Sequence, residues 1–248
     1  MSESIENLQD YFKQLRLAET ASELPNLLRR AEQASWTYRE FVQEIVQFEL
    51  LKREEKSQEK RMKWAKFPYL KTVKEFDLSD QTSLSQRQLN QLEEMTWLEQ
   101  QYNLILLGPP GVGKTHLAIG LGIEAIQKGF QVMFVPMGEL ITLLKTREYT
   151  RKSQVQLNRI EASDLVIIDD LMYMAMDQRE ANLFFHLVNH LYERSSLILT
   201  SNKSPDQWGE LLGDDGITTA ILDRLLHRVE IIQMNEDSYR MKHRKTMF

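Results

Sequence analysis

The chain has 248 residues, 42% hydrophobic and 27% charged, with a formal net charge of −5, enough length for one sizeable α/β domain plus a smaller module. The lack of cysteine excludes disulfides, thiolate metal sites and cysteine nucleophiles, and fits a reducing compartment. No apolar run approaches the roughly eighteen residues that span a bilayer, and the acidic start Met1-Ser2-Glu3-Ser4-Ile5-Glu6 lacks the apolar core of a secretory signal, so a cytoplasmic protein without membrane contact is expected.

Ile5, Leu8, Phe12 and Leu15, then Leu24, Leu27 and Leu28, recur at helical intervals and predict two short helices, with Ser22 placed as an N-cap ahead of Pro25. A longer helix is predicted from about residue 35, because Trp36, Phe41, Ile45, Phe48 and Leu51 keep the period and no glycine or proline intervenes before Pro68. Its second half is basic. Residues 52–74 hold nine basic and three acidic side chains, a local charge of +6 that leaves −11 on the rest of the chain. Charge placed this unevenly points to an anionic partner, with Lys52, Arg53, Lys56, Lys60, Arg61 and Lys63 as candidate DNA contacts, although a basic run taken alone is more commonly a solvated helix face. Residues 1–66 therefore read as a small all-helical N-terminal module. Phe67-Pro68-Tyr69-Leu70 breaks the helix, and residues 67–84 form a connector to a larger domain over 85–248.

In that domain, residues 85–101 read as a helix leading into a strand over 103–107. The loop Gly108-Pro109-Pro110-Gly111-Val112-Gly113-Lys114-Thr115 follows, then a helix to Gln127 that stops at Gly129. Beyond it come a strand over 131–135, a helix over about 139–147 and a strand over 164–168 ending on Asp169. A helix over about 178–193, a strand over 196–201, a helix near 218–226 and a strand over 229–232 complete the order. Strands alternate with helices and are continuous apolar runs, which predicts an α/β three-layer sandwich around a parallel five-stranded sheet.

The loop has the full G-x-x-x-x-G-K-T spacing between a strand and a helix. Such a loop turns its backbone N–H groups inward against phosphates at the positive end of the helix dipole. Lys114 would reach the β- and γ-phosphates of a nucleotide, and the Thr115 hydroxyl would ligate Mg²⁺. In Leu165-Val166-Ile167-Ile168-Asp169-Asp170, two carboxylates stand at the C-terminal end of a buried strand, where open α/β sheets bind ligands. Asp169 is placed to hold the Mg²⁺, and Asp170 to polarise the attacking water. Asn202 closes the next strand, where it could orient that water or simply cap a turn. Arg224 and Arg228, near a helix end, are either surface charges or an arginine finger that reaches a neighbouring subunit's γ-phosphate. His186 and His190 lack a third ligand and make no metal site, and Met172-Tyr173-Met174-Ala175-Met176 reads as a packing loop.

The loop over 108–115 and the runs Leu165 to Asp170, Thr200-Ser201-Asn202, Asp223-Arg224-Leu225-Leu226-His227 and Asp237-Ser238-Tyr239-Arg240 together resemble the IstB-type helper ATPases of insertion-sequence transposons, close relatives of DnaC-type helicase loaders. Ala181-Asn182-Leu183-Phe184-Phe185 and Trp208-Gly209-Glu210 look specific to this family, and the resemblance covers nearly the whole chain. It implies an AAA+ fold without a separate lid domain, ATP with Mg²⁺ as ligands, and a homo-oligomer built through ATP-bridged interfaces. It also implies assembly on duplex DNA and a partner transposase whose target capture the protein assists. By position Asn202 resembles the family's sensor 1 and Arg224 its arginine finger. Asp170 stands where many AAA+ enzymes have Glu, one methylene longer, which implies slow, DNA-stimulated hydrolysis. Two other functions suit the same residues: a helicase loader, and a DNA-architectural module in which ATP acts as structural glue.

Overall fold

The computed structural model describes residues 2–78, 83–171, 176–208 and 215–235. The chain packs as two units, Met1–Lys60 and Arg61–Phe248. The first holds helices α1 (Ser2–Gln14) and α2 (Ala18–Ala34) and most of α3 (Tyr38–Ala65), whose last turn belongs to the second unit. Ser22 does not cap a helix, contrary to the sequence reading. Its hydroxyl donates to the Glu19 carbonyl inside α2, which runs straight through Pro25. Burial of Thr20, Ala21, Leu24 and Leu27 on one face carries the helix past a residue that lacks the N–H for its own hydrogen bond.

An unfilled helix end is satisfied across this unit. The carboxylate of Glu49, itself buried, accepts the Thr20 N–H at 3.0 Å and the Thr20 hydroxyl at 2.8 Å, at the start of α2. Arg53 Nε donates to the same carboxylate at 2.9 Å, and its terminal nitrogen donates to the Arg16 carbonyl at 2.7 Å. Burial pushes the Glu49 carboxyl up, but the Thr20 donors and the Arg53 guanidinium outweigh it and hold the group below its ordinary value.

The second unit is built on a five-stranded, wholly parallel sheet of β1 (Asn103–Leu107), β2 (Val132–Pro136), β3 (Leu165–Leu171), β4 (Ser196–Ser201) and β5 (Val229–Gln233), in the order β2-β3-β4-β1-β5. Its strands alternate with helices α4 (Gln86–Glu93), α5 (Thr96–Glu99), α6 (Lys114–Gln127), α7 (Met137–Thr146), α8 (Arg151–Glu161), α9 (Gln178–Leu191) and α10 (Asp215–Leu226). Leu104, Leu106, Ile167 and Ile198 bury against the layer holding α4, α5 and α6. Ile105, Val166, Ile168 and Leu199 bury on the other face against α7 to α10, each such aliphatic contributing about 1.5–3 kcal/mol over exposure.

Two elements differ from the sequence reading. The helix expected over 85–101 is two, because Met95 takes a left-handed turn (φ 61°) that buries its side chain and lets Trp97 Nε1 donate to the Leu92 carbonyl at 2.9 Å. Helix α8 falls where no element was expected. Its stretch is polar, yet it buries Ser153, Gln156, Leu157 and Ile160, and the Thr150 hydroxyl caps it by accepting from the Ser153 N–H.

The connector packs on α6. A Cβ on Gly120 would stand 2.9 Å from the Val73 backbone nitrogen, so only glycine lets the two backbones come this close. The connector contains a short 3₁₀ turn, Val73–Glu75, whose capping box joins Thr72 and Glu75.

Candidate functional site

The C-terminal ends of β1, β3 and β4 gather the chemistry. Gly108 leaves β1 at φ 150°, and a Cβ there would lie 2.0 Å from the Met234 carbonyl oxygen, so the loop can begin only with glycine. Lys114 is 8% exposed and folds back over this loop, its Nζ donating to the Gly108 carbonyl at 2.7 Å and the Pro109 carbonyl at 2.9 Å. Beside it, Asp169 Oδ1 accepts the Thr115 hydroxyl at 2.9 Å and the Thr200 hydroxyl at 2.6 Å. Burial pushes the Asp169 carboxyl up and the nearby Asp170 charge adds to this, against the two hydroxyls and Lys114, and the net direction is upward.

The sheet register slips by one residue here, since Ile168 pairs with Leu199 but Leu171 with Ser201. The extra residue is Asp170, left-handed at φ 55°, with its N–H donating to the Thr200 hydroxyl at 2.9 Å. The bulge buries Asp169 and leaves Asp170 exposed. Both line a cleft of about 490 Å³ with Pro110, Gly111, Val112, Gly113, Lys114, Thr115 and Asn202, a volume within the range of small-molecule sites. The donor set suits Mg²⁺, which takes oxygen ligands and is held by one or two carboxylates together with substrate phosphates: here a hydroxyl and a carboxylate oxygen converge within 2.9 Å.

Arg224 does not join this cleft within its own subunit. It lies in the last turn of α10, next to Leu225, whose carbonyl accepts from Asn103 Nδ2 at the beginning of β1. That is the opposite edge of the sheet. Arg228 is exposed nearby, with Nη1 3.4 Å from the Gln100 carbonyl. Of the basic residues of α3, Lys52 pairs with Glu55 at 2.6 Å, Arg53 with Glu49, and Lys56 with Glu19. Lys60 and Lys63 are exposed and Arg61 is half-buried. Most of the methionine-rich loop, the residues after Trp208 in its motif and the run over 237–240 lie outside the described residues. No helix among the described residues is long and apolar enough to cross a membrane.

A family model described as IstB-like ATP binding protein matches residues 11–247. The chain belongs to this IstB family. It is 39% identical over 239 residues to a protein named for ATP binding in insertion sequence IS21 of Pseudomonas aeruginosa, covering 96% of this chain and 90% of that one. It is 38% identical over 241 residues to an IS21-like counterpart from Bacteroides fragilis, covering 97% and 92%. Among solved structures, DnaI superposes with a TM-score of 0.56 at 19% identity, covering 66% of this chain and 90% of that one. AMPPCP-bound DnaA from Aquifex aeolicus gives 0.52 at 22%, covering 69% and 52%. The fold is AAA+.

In this IstB-family chain the connector forms the other wall of the cleft through Pro68, Tyr69, Lys71, Glu75, Phe76 and Asp77, residues to which the sequence assigns no part in a nucleotide site. His116 also lines it. Its Nε2–H donates to the Thr72 carbonyl at 3.0 Å and its ring meets the edge of Phe76 at 5.4 Å, while burial holds its pKa below the ordinary value. The signal for this wall was present as Gly120, a glycine inside a helix where it is unfavourable by about 0.8–1.0 kcal/mol unless something packs there.

Proposed function

We propose that this protein hydrolyses ATP while assembled on duplex DNA and so assists a partner transposase in target capture. The observation that carries the reading is the convergence, at one edge of the sheet, of a complete phosphate loop with Lys114, the linked oxygens of Thr115 and Asp169, and the exposed carboxylate of Asp170. The names of the relatives, which belong to insertion sequences, support transposition. The helicase-loader alternative would use the same AAA+ fold, and fold does not fix function.

In this reading the Gly108 to Gly113 backbone binds the phosphates and Lys114 exchanges its two carbonyl acceptors for β- and γ-phosphate oxygens. Thr115 and Asp169 would hold Mg²⁺, which when bound offsets phosphate charge. Asp170 accepts a proton from the attacking water, and Asn202 orients that water. The connector wall formed by Tyr69 and Phe76 faces the rest of the nucleotide. Arg224 serves the site of a neighbouring subunit, because its own cleft lies at the other edge of the sheet.

The test is Asp170→Asn in the full-length chain. Nucleotide affinity is expected to stay within about twofold of wild type while DNA-stimulated phosphate release falls by about 10² to 10⁴, the usual contribution of a general base. A wild-type rate would remove Asp170 from the chemistry.

A further inference from the structure

The run Ala181-Asn182-Leu183-Phe184-Phe185 lies within helix α9 and takes no part in the nucleotide cleft. Phe184 is fully buried, whereas Phe185 is only partly covered and stands one turn before Asn189. Both meet Arg224 on α10. Asn189 Oδ1 accepts the Arg224 Nε–H at 2.9 Å, the Ala220 carbonyl accepts from Nη1 at 2.8 Å, and the guanidinium carbon lies 5.0 Å from the centre of the Phe185 ring. An arginine on a helix surface samples many rotamers, and immobilising it is part of the cost of using it in an interface. Here two hydrogen bonds and a ring contact, from α9 and from α10 itself, hold the group before any partner arrives.

They also leave it usable. Two of the five N–H groups are engaged, and the remaining three, both on Nη2 and one on Nη1, make no hydrogen bond among the described residues. N–H groups on Nη1 and Nη2 are the kind that fork onto paired phosphate oxygens. The group accepting from Nε is an amide, and among the described residues no carboxylate pairs with Arg224. An amide orients the cation without neutralising it, whereas an aspartate at this place would quench the field that a transition state needs.

We infer that Asn189 and Phe185 are positioning residues, which hold the Arg224 guanidinium on a fixed bearing toward the site of the neighbouring subunit; the inference rests on the trans role proposed for Arg224. A plain structural tie between α9 and α10 would use the same contacts, and kinetics separates the two.

Arg224→Ala, Asn189→Ala and the double variant are compared as full-length chains with ATP and duplex DNA, measuring kcat and, separately, the affinity for a fluorescent ATP analogue. Asn189→Ala is expected to lower kcat by about ten- to a hundredfold with unchanged nucleotide affinity, because a small misplacement of a catalytic group has that effect. The double variant is expected to be no slower than Arg224→Ala alone, since Asn189 acts only through the arginine. Loss in Arg224→Ala beside a wild-type kcat in Asn189→Ala overturns the inference, and so do losses that multiply in the double variant. A wild-type kcat in Arg224→Ala means that the trans role itself has failed and takes the inference with it. Phe185→Leu keeps the apolar volume and removes the aromatic face. If Asn189→Ala does not fold, a fall in kcat in Phe185→Leu at unchanged affinity supports the positioning role, and a wild-type kcat overturns it.

Discussion

Between Asp169 and Asp170 the backbone turns from extended to left-handed, and that one step gives two adjacent carboxylates different surroundings. A left-handed residue is strained for most side chains, and Asp is among the few that tolerate it. The same turn carries the Asp170 carboxylate out of the sheet and into the open cleft. The loop over 108–115 could be read from the sequence because its residues act next to one another. The bulge could not, because it depends on a register against β4, and the link from Thr200 to Asp169 joins residues 31 apart. Glu49 makes the same point in the first unit, where its partner Thr20 is 29 residues away. Its folded-state pKa lies below the ordinary 4.5, so its contribution to stability is fully present above pH 4.5 and is lost as the pH falls through the folded-state value. Glu49→Gln is expected to lower the stability of α2 by about 1.5–3 kcal/mol at pH 7, the usual worth of hydrogen bonds to a charged group. Hydrogen exchange of the Thr20 and neighbouring amides reads this locally. The gap between variant and wild type should shrink toward pH 3.5, and a gap as wide there as at pH 7 contradicts the assignment.

The five strands were legible in the sequence to within a residue or two, with β3 running three residues beyond its expected end, since continuous apolar runs between turn residues have few other readings. Helix α8 was not, because it buries polar Ser153 and Gln156 beside only a few apolar side chains, so its periodicity is faint. The connector's position is legible in the sequence but its packing is not: it lies against α6, and periodicity carries no information about which irregular segment a helix receives. Helix α3 is the opposite case. Its basic second half was conspicuous, yet the structure gives Arg53 an internal task in holding Glu49 and the Arg16 carbonyl, so neutralising it would loosen the first unit as well as alter charge. A fair test of DNA binding leaves Arg53 alone. Lys56→Gln, Lys60→Gln and Lys63→Gln together are expected to flatten the slope of log affinity against log salt by about 0.9 for each DNA phosphate that is no longer neutralised, equally on unrelated duplex sequences. A slope unchanged by all three would make this stretch a solvated helix face and send the search for the DNA-binding surface elsewhere on the chain.

A single second unit has a cleft at the C-terminal edge of its sheet and Arg224 at the N-terminal edge, separated by strands of five to seven residues, or about 15–20 Å. No side chain bridges that distance, so if both serve one reaction they must come from different subunits. Such an interface is head-to-tail, and it generates rings where the rotation closes and helical filaments where it does not. Every internal subunit then lends its arginine to one neighbour and its cleft to the other. The consequence is testable by mixing two inactive variants. Arg224→Ala retains a cleft but lends no arginine, and is expected to bind ATP normally while losing about 10³ to 10⁵ in rate. Lys114→Ala retains the arginine but is expected to bind ATP about ten- to a hundredfold less tightly, for want of a charge-assisted hydrogen bond worth about 1.5–3 kcal/mol. In a mixture on duplex DNA, interfaces that join the cleft of the first to the arginine of the second are complete. With equal amounts assembling at random, about a quarter of the interfaces are of this kind, so hydrolysis should rise toward a quarter of the wild-type rate per subunit, far above either variant alone. Co-assembly without recovered activity would confine Arg224 to its own subunit, and Arg228, exposed at the same edge, would then be tested in its place.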